Sequence, residues 1–164
     1  MGLTAIKSNY MMRTLALIGT IFMVISCNES IVFEEYKSFE SQKWNADSAA
    51  FFNYVISDTT SKNIIKIKLR HTVDYEFQNL FLFVETDVLD TVELILATKE
   101  GMWLGSGIGD VREFEFEYQS ADLFCEKGNH SFKIEQAMRY GVAAKIQELN
   151  NIIAVGLSVE KNYE

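Results

Sequence analysis

Beyond residue 30 the hydrophobic and polar residues alternate with a period of two over most of the chain, which is the pattern of strands with one face turned to a core. The clearest stretch is Lys62 to Arg70. Ile65, Ile67 and Leu69 fall on one face, and Lys66, Lys68 and Arg70 on the other. Arg112 to Gln119 repeats the pattern with opposite charge: Phe114, Phe116 and Tyr118 point inward, Glu113, Glu115 and Glu117 outward. Ala49 to Ile56 predicts a largely buried strand. Leu80 to Val84 is apolar on both faces and predicts a central one. Residues 31–38, Asp90–Thr98, Ser131–Glu135 and Ile152–Val159 complete the strand pattern.

Turn signals separate these segments at Asp58–Ser61, Asp87–Asp90 and Gly128-Asn129. Gly101 to Asp110 holds four glycines in ten residues and predicts a loop or bulge with left-handed backbone angles. Ile146–Asn150 is the one candidate for a helical turn. Eight or nine strands follow, at spacings of roughly 10–15 residues, with no amphipathic helix to serve as a crossover. The fold class is therefore all-β: an antiparallel β-sandwich, jelly-roll-like. Proline is absent, so Gly, Asn and Asp must set the turns and charge must guard the sheet edges. The Lys66/Lys68/Arg70 and Glu113/Glu115/Glu117 stripes suit that role. They also suit pairing with each other across neighbouring strands, at about 0.2–1 kcal/mol per pair.

The N-terminus has a different pattern. Lys7 and Arg13 form a basic region, and Leu15–Ile25 is a run of 11 residues, mostly apolar. A helix of that length spans about 16 Å, roughly half a bilayer core, which fits a signal peptide rather than a transmembrane anchor. The run ends Val24-Ile25-Ser26-Cys27, which resembles the lipobox of bacterial lipoproteins. The division expected is a lipoprotein signal peptide over 1–26, a lipidated tether over 27–30 beginning at Cys27, and a single β-sandwich domain over 31–164. Several acyl chains at about 0.8 kcal/mol per buried methylene would hold Cys27 in a membrane without help from the body.

From Cys27 onward there are 13 basic and 23 acidic residues, a net charge of −10. A body this acidic excludes nucleic acid as a partner and is repelled by anionic lipid. With Cys27 acylated, Cys125 has no intramolecular partner and is expected as a small buried apolar residue. No metal site is indicated, since His71 and His130 stand alone and the CxxC spacings of zinc sites are missing. No cofactor is indicated either. Nucleophilic catalysis finds no GxSxG, and Asp74, three residues after His71, reads as surface polarity. The run Gly105-Ser106-Gly107-Ile108-Gly109 lacks both the lysine and the following helix that a phosphate loop requires.

Four ordered blocks follow the lipobox: Asp58-Thr59-Thr60; Asn79-Leu80-Phe81-Leu82-Phe83; Trp103-Leu104-Gly105-Ser106-Gly107 with Gly109-Asp110; and Ile134-Glu135-Gln136-Ala137-Met138-Arg139. Together they resemble the gliding motility lipoprotein GldH family of the Bacteroidota, over essentially the whole chain beyond Cys27. The resemblance implies a non-enzymatic lipoprotein of the cell envelope, anchored in the outer membrane facing the periplasm. It also implies a requirement for gliding and a link to the type IX secretion machinery, whose envelope proteins would be the partners.

Four residues are candidates for a contact surface. Trp103 with Asp110 could stack and hydrogen-bond a sugar, which makes a lipid-anchored carbohydrate-binding module the alternative function; the other reading packs Trp103 into the sandwich end. Glu135 and Arg139 flank a bend. They form an ion pair fixing it or belong to a partner surface, where Arg is enriched. Met138 between them reads as core.

Overall fold

A computed structural model describes residues 30–60, 62–118, 126–142 and 144–162. Cys27, Cys125 and the 1–26 segment lie outside the described residues. Eight long strands build two four-stranded antiparallel sheets. One sheet has β1 (Ile31–Ser38), β10 (Ile152–Asn162), β4 (Lys62–Thr72) and β7 (Val111–Tyr118), in the order β1-β10-β4-β7. The other has β3 (Ala50–Ile56), β8 (Gly128–Gln136), β5 (Asn79–Glu85) and β6 (Leu89–Ile95), in the order β3-β8-β5-β6. Two three-residue strands, β2 (Lys43–Asn45) and β9 (Glu148–Asn150), pair with each other at one end. If the eight long strands are counted in chain order, the sheets read 1-8-3-6 and 2-7-4-5, the interleaved order of a jelly roll.

The core is the set of inward positions the alternation marks. Ile65, Ile67 and Leu69 of β4 face Leu80, Leu82 and Val84 of β5, all 0–1% exposed, and Phe52 and Phe132 fill the layer between the sheets. Trp44 of β2 is completely buried. It stacks on Phe39 at 4.7 Å and donates its Nε1 hydrogen to the Ser48 carbonyl at 2.9 Å, closing the sandwich end.

The charged stripes find each other. The register sets Lys66 opposite Glu117, Lys68 opposite Glu115 and Arg70 opposite Glu113. Lys68 Nζ also reaches Glu34 on β1 at 2.7 Å, and Lys66 reaches Glu160 on β10 at 2.7 Å, so one ion-pair lattice spans four strands.

Several expectations are corrected. Among the described residues ten strands form, because β2 and β9 are too short to show a period. Residues 148–150 are strand rather than a helical turn: Leu149 pairs with Trp44, and burying both outweighs any local helical preference. Gly128 and Asn129 begin β8 instead of turning the chain. β3 is buried on one face only, since its alternate side chains point to the outer face of the sheet and leave Phe51 and Val55 exposed. The Lys66/Lys68/Arg70 stripe guards no edge, because β4 is an inner strand; the glutamate stripe on β7 does lie at an edge.

Candidate interaction surface

The four candidate residues fall in two separate places. Trp103 and Asp110 belong to the loop joining β6 to β7. Trp103 bridges Ala97, and its ring lies half-buried against the core, with centroids 4.7 Å from His71 and 6.4 Å from Tyr75. Asp110 is exposed at the far end of the loop, where its carbonyl accepts from the Val73 amide at 2.8 Å. Among the described residues no hydrogen bond or ring contact joins Trp103 to Asp110. The loop is pressed onto β7: a Cβ on Gly105 would stand 2.2 Å from the Glu113 carbonyl oxygen, and one on Gly107 2.0 Å from that of Val111. Gly105 also takes a φ of 83°, so its backbone is left-handed as the glycine pattern implied.

His71 is not a surface residue. It is fully buried beside Trp103, because β4 runs two residues past the alternating stretch and carries it under the loop. Its Nδ1 lies 2.8 Å from the Thr72 carbonyl, which assigns the hydrogen to Nδ1 and leaves Nε2 as a buried acceptor with no partner. Burial, aided by Arg112 and opposed by the Thr72 hydrogen bond, lowers its pKa below the ordinary 6.5.

Glu135 and Arg139 do lie close to one groove, but no ion pair joins them. Glu135 is held by Lys133 at 3.1 Å, because residues two apart on β8 project from the same face; Lys133 also reaches Glu85 at 3.0 Å. The bend between them is fixed by Gln136 instead. Its buried side chain donates to the Ile146 carbonyl at 2.7 Å and accepts from the Met138 amide at 3.0 Å. Met138 is buried, and the Ala137 amide donates to the Phe81 carbonyl at 2.8 Å, tying the bend to β5. Arg139 is carried to the surface with no ion pair or side-chain hydrogen bond among the described residues.

This geometry opens a groove on the outer face of the β3-β8-β5-β6 sheet. Phe81 and Phe83 form its floor, with Thr91, Ala137 and Arg139 as walls, enclosing about 360 Å³. It continues over Phe83 and Arg139 into a second hollow of about 370 Å³ bounded by Ala46, Ala144 and Lys145. The sequence pointed to Arg139 but not to the phenylalanines. The signal was present in the two-faced apolar run Leu80–Val84, whose outward half, Phe81 and Phe83, is only partly covered. A larger hollow of about 560 Å³ lies at the sandwich end beside Tyr75, Phe77, Tyr140 and Glu148.

Among the described residues no cluster of His, Cys, Asp and Glu could hold a metal, and no helix is long and apolar enough to cross a membrane. Fold and surface together define a jelly-roll sandwich with an open aromatic groove on one sheet. The sequence profile of the GldH lipoprotein family matches residues 31–159. Two curated relatives align over most of their length. The gliding motility lipoprotein GldH homolog of Christiangramia forsetii is 36% identical over 152 residues, covering 88% of this chain and 93% of the relative. The gliding motility lipoprotein GldH of Flavobacterium johnsoniae is 33% identical over 146 residues, covering 85% and 90%. The chain belongs to the GldH lipoprotein family. Among solved structures, the infectious bursal disease virus VP2 subviral particle matches 79% of this chain and 30% of its own, at 14% identity and a TM-score of 0.31. That likeness is too slight to argue from.

Proposed function

We propose that this chain is a lipid-anchored accessory protein of the gliding motility and type IX secretion apparatus, acting through contacts with other envelope proteins rather than by catalysis. The observation that carries this reading is membership of the GldH lipoprotein family across residues 31–159. The signal sequence supplies the route, with cleavage after Ser26 and acylation of Cys27, and the body faces the periplasm from the outer membrane. A net charge of −10 beyond Cys27 gives the body no attraction for anionic headgroups, so the acyl chains alone hold it at the bilayer.

The half-buried Trp103, packed on His71 and Tyr75, supports the protein-contact reading over the glycan module, because a sugar platform needs an exposed ring face. The test is complementation of a gliding host deleted for its own copy. The wild-type gene should restore spreading and secretion of type IX substrates, and Cys27→Ala should restore neither. Normal spreading and secretion in the deletion strain, with a soluble glycan captured by the purified protein, would reverse the choice.

A further inference from the structure

We propose that the groove over Phe81 and Phe83 receives an extended segment of a partner protein, with apolar side chains on the floor and a carboxylate against Arg139. The inference rests on the protein-contact reading and names the surface and the partner's chemistry.

Charge complementarity carries it. The neighbouring charges at this groove already have partners: Glu135 shares Lys133 with Glu85, and Lys145 is engaged by Asp47 at 2.5 Å. Arg139 alone stands at both hollows without an internal counter-ion among the described residues, although the chain around it is strongly acidic. A guanidinium on an apolar floor offers a carboxylate a bidentate contact in partly desolvated surroundings, where such pairs are strongest. The bend that presents it is held by a buried glutamine and two backbone bonds, so little ordering remains to be done on binding.

The shape argues for a strand-like occupant. Phe81 and Phe83 are two apart on β5, a separation of about 7 Å along the strand, which matches alternate side chains of an extended peptide. An anionic lipid headgroup would also suit Arg139, but a body of net charge −10 is repelled by the surface that carries it.

The experiment uses the full-length lipidated protein in living cells. Phe83→p-benzoylphenylalanine places a photocrosslinker on the groove floor, and adducts are mapped by mass spectrometry. The expected adduct lies in another envelope protein, at a stretch carrying Asp or Glu between apolar residues. Adding Arg139→Glu should reduce it more than tenfold, while Arg139→Lys retains a measurable share. Adducts only to lipid, to glycan or to a second copy of this chain would overturn the proposal, as would an unchanged adduct in Arg139→Glu.

Spreading separates this inference from the reading beneath it. Arg139→Glu protein, made at wild-type level and with an unchanged melting temperature, should fail to restore spreading. Full restoration by that variant sinks the groove and leaves the lipoprotein function standing. Full restoration by Cys27→Ala sinks the function itself.

Discussion

The Tyr36 ring lies against Gly156 on the neighbouring strand, where a Cβ would stand 2.7 Å from ring atoms Cδ1 and Cε1. Arg70 also lies over the ring, its guanidinium carbon 3.9 Å from the centroid, and the ring's hydroxyl reaches Glu113 at 3.2 Å. Arg70 is itself bonded to Glu113. A glycine in the interior of β10 weakens the strand on its own account, but here it lets an aromatic side chain cover the backbone and link four strands.

Substituting Gly156 should therefore be costly for a reason that can be checked. Gly156→Val forces Tyr36 out of its slot and should destabilise the fold by about 1–3 kcal/mol in urea denaturation. In a Tyr36→Ala background the same substitution should cost much less. Equal costs in both backgrounds would show that the ring is not the obstacle.

Lys68 is the most buried cation of the lattice on this face. Burial by itself would lower its pKa, but the Glu34 hydrogen bond, aided by Tyr36 and Glu115, outweighs burial and raises it. Lys68→Met leaves Glu34 and Glu115 without their shared counter-ion and should cost about 1–3 kcal/mol, read from denaturation midpoints. Lys43→Met, which breaks the exposed pair with Glu148, should change stability by less than about 0.5 kcal/mol.

The buried His71 predicts a pH dependence. Its folded pKa is depressed below 6.5, so the unfolded chain takes up a proton first as pH falls. The stability it contributes is complete above pH 6.5 and is lost progressively as pH falls toward the folded value. Because Nε2 has no partner and the Thr72 carbonyl also accepts from the Tyr75 amide at 3.2 Å, the imidazole is replaceable. His71→Phe should keep the melting temperature within a few degrees at pH 7.5 and flatten the decline between pH 7 and 5. A variant with the same pH slope as wild type would assign the titration elsewhere.

The glycine loop separates two kinds of constraint. Gly107→Ala drives a Cβ against the Val111 carbonyl and should cost more than about 2 kcal/mol, since β7 must move to admit it. Gly109 has a φ of 61° but open space around it, so Gly109→Ala should cost only about 1 kcal/mol of backbone strain. Thermal unfolding of the two variants would reveal a reversed order if the loop contact were loose.

Much of this protein was legible in the residue order. Residues 31–38, 62–70 and 112–118 located β1, β4 and β7, and period-two alternation in the latter two named their inward faces, because a strand facing a core buries its apolar area on one side. Opposite charges on two such faces anticipated their pairing, and the glycines at 105 and 107 anticipated a tight loop. Family membership was legible for a related reason: short motifs preserve the spacing that strand and turn geometry imposes.

What the residue order could not fix lies between elements far apart in the chain. Trp44 and Leu149 are unremarkable in their three-residue strands until the fold brings them together, and their joint burial then overrides the local preference at 148–150. Glu135 could have reached Arg139, but the pleat placed Lys133 on its own face and left the arginine alone. The aromatic floor beneath that arginine comes from β5, more than fifty residues away, and only sheet pairing sets the two side by side. Sequence alone determined which faces of β4 and β7 turn inward, since the alternation along each strand leaves one face apolar and the other charged. Tertiary structure decided which faces meet, because that choice depends on the summed packing of both sheets.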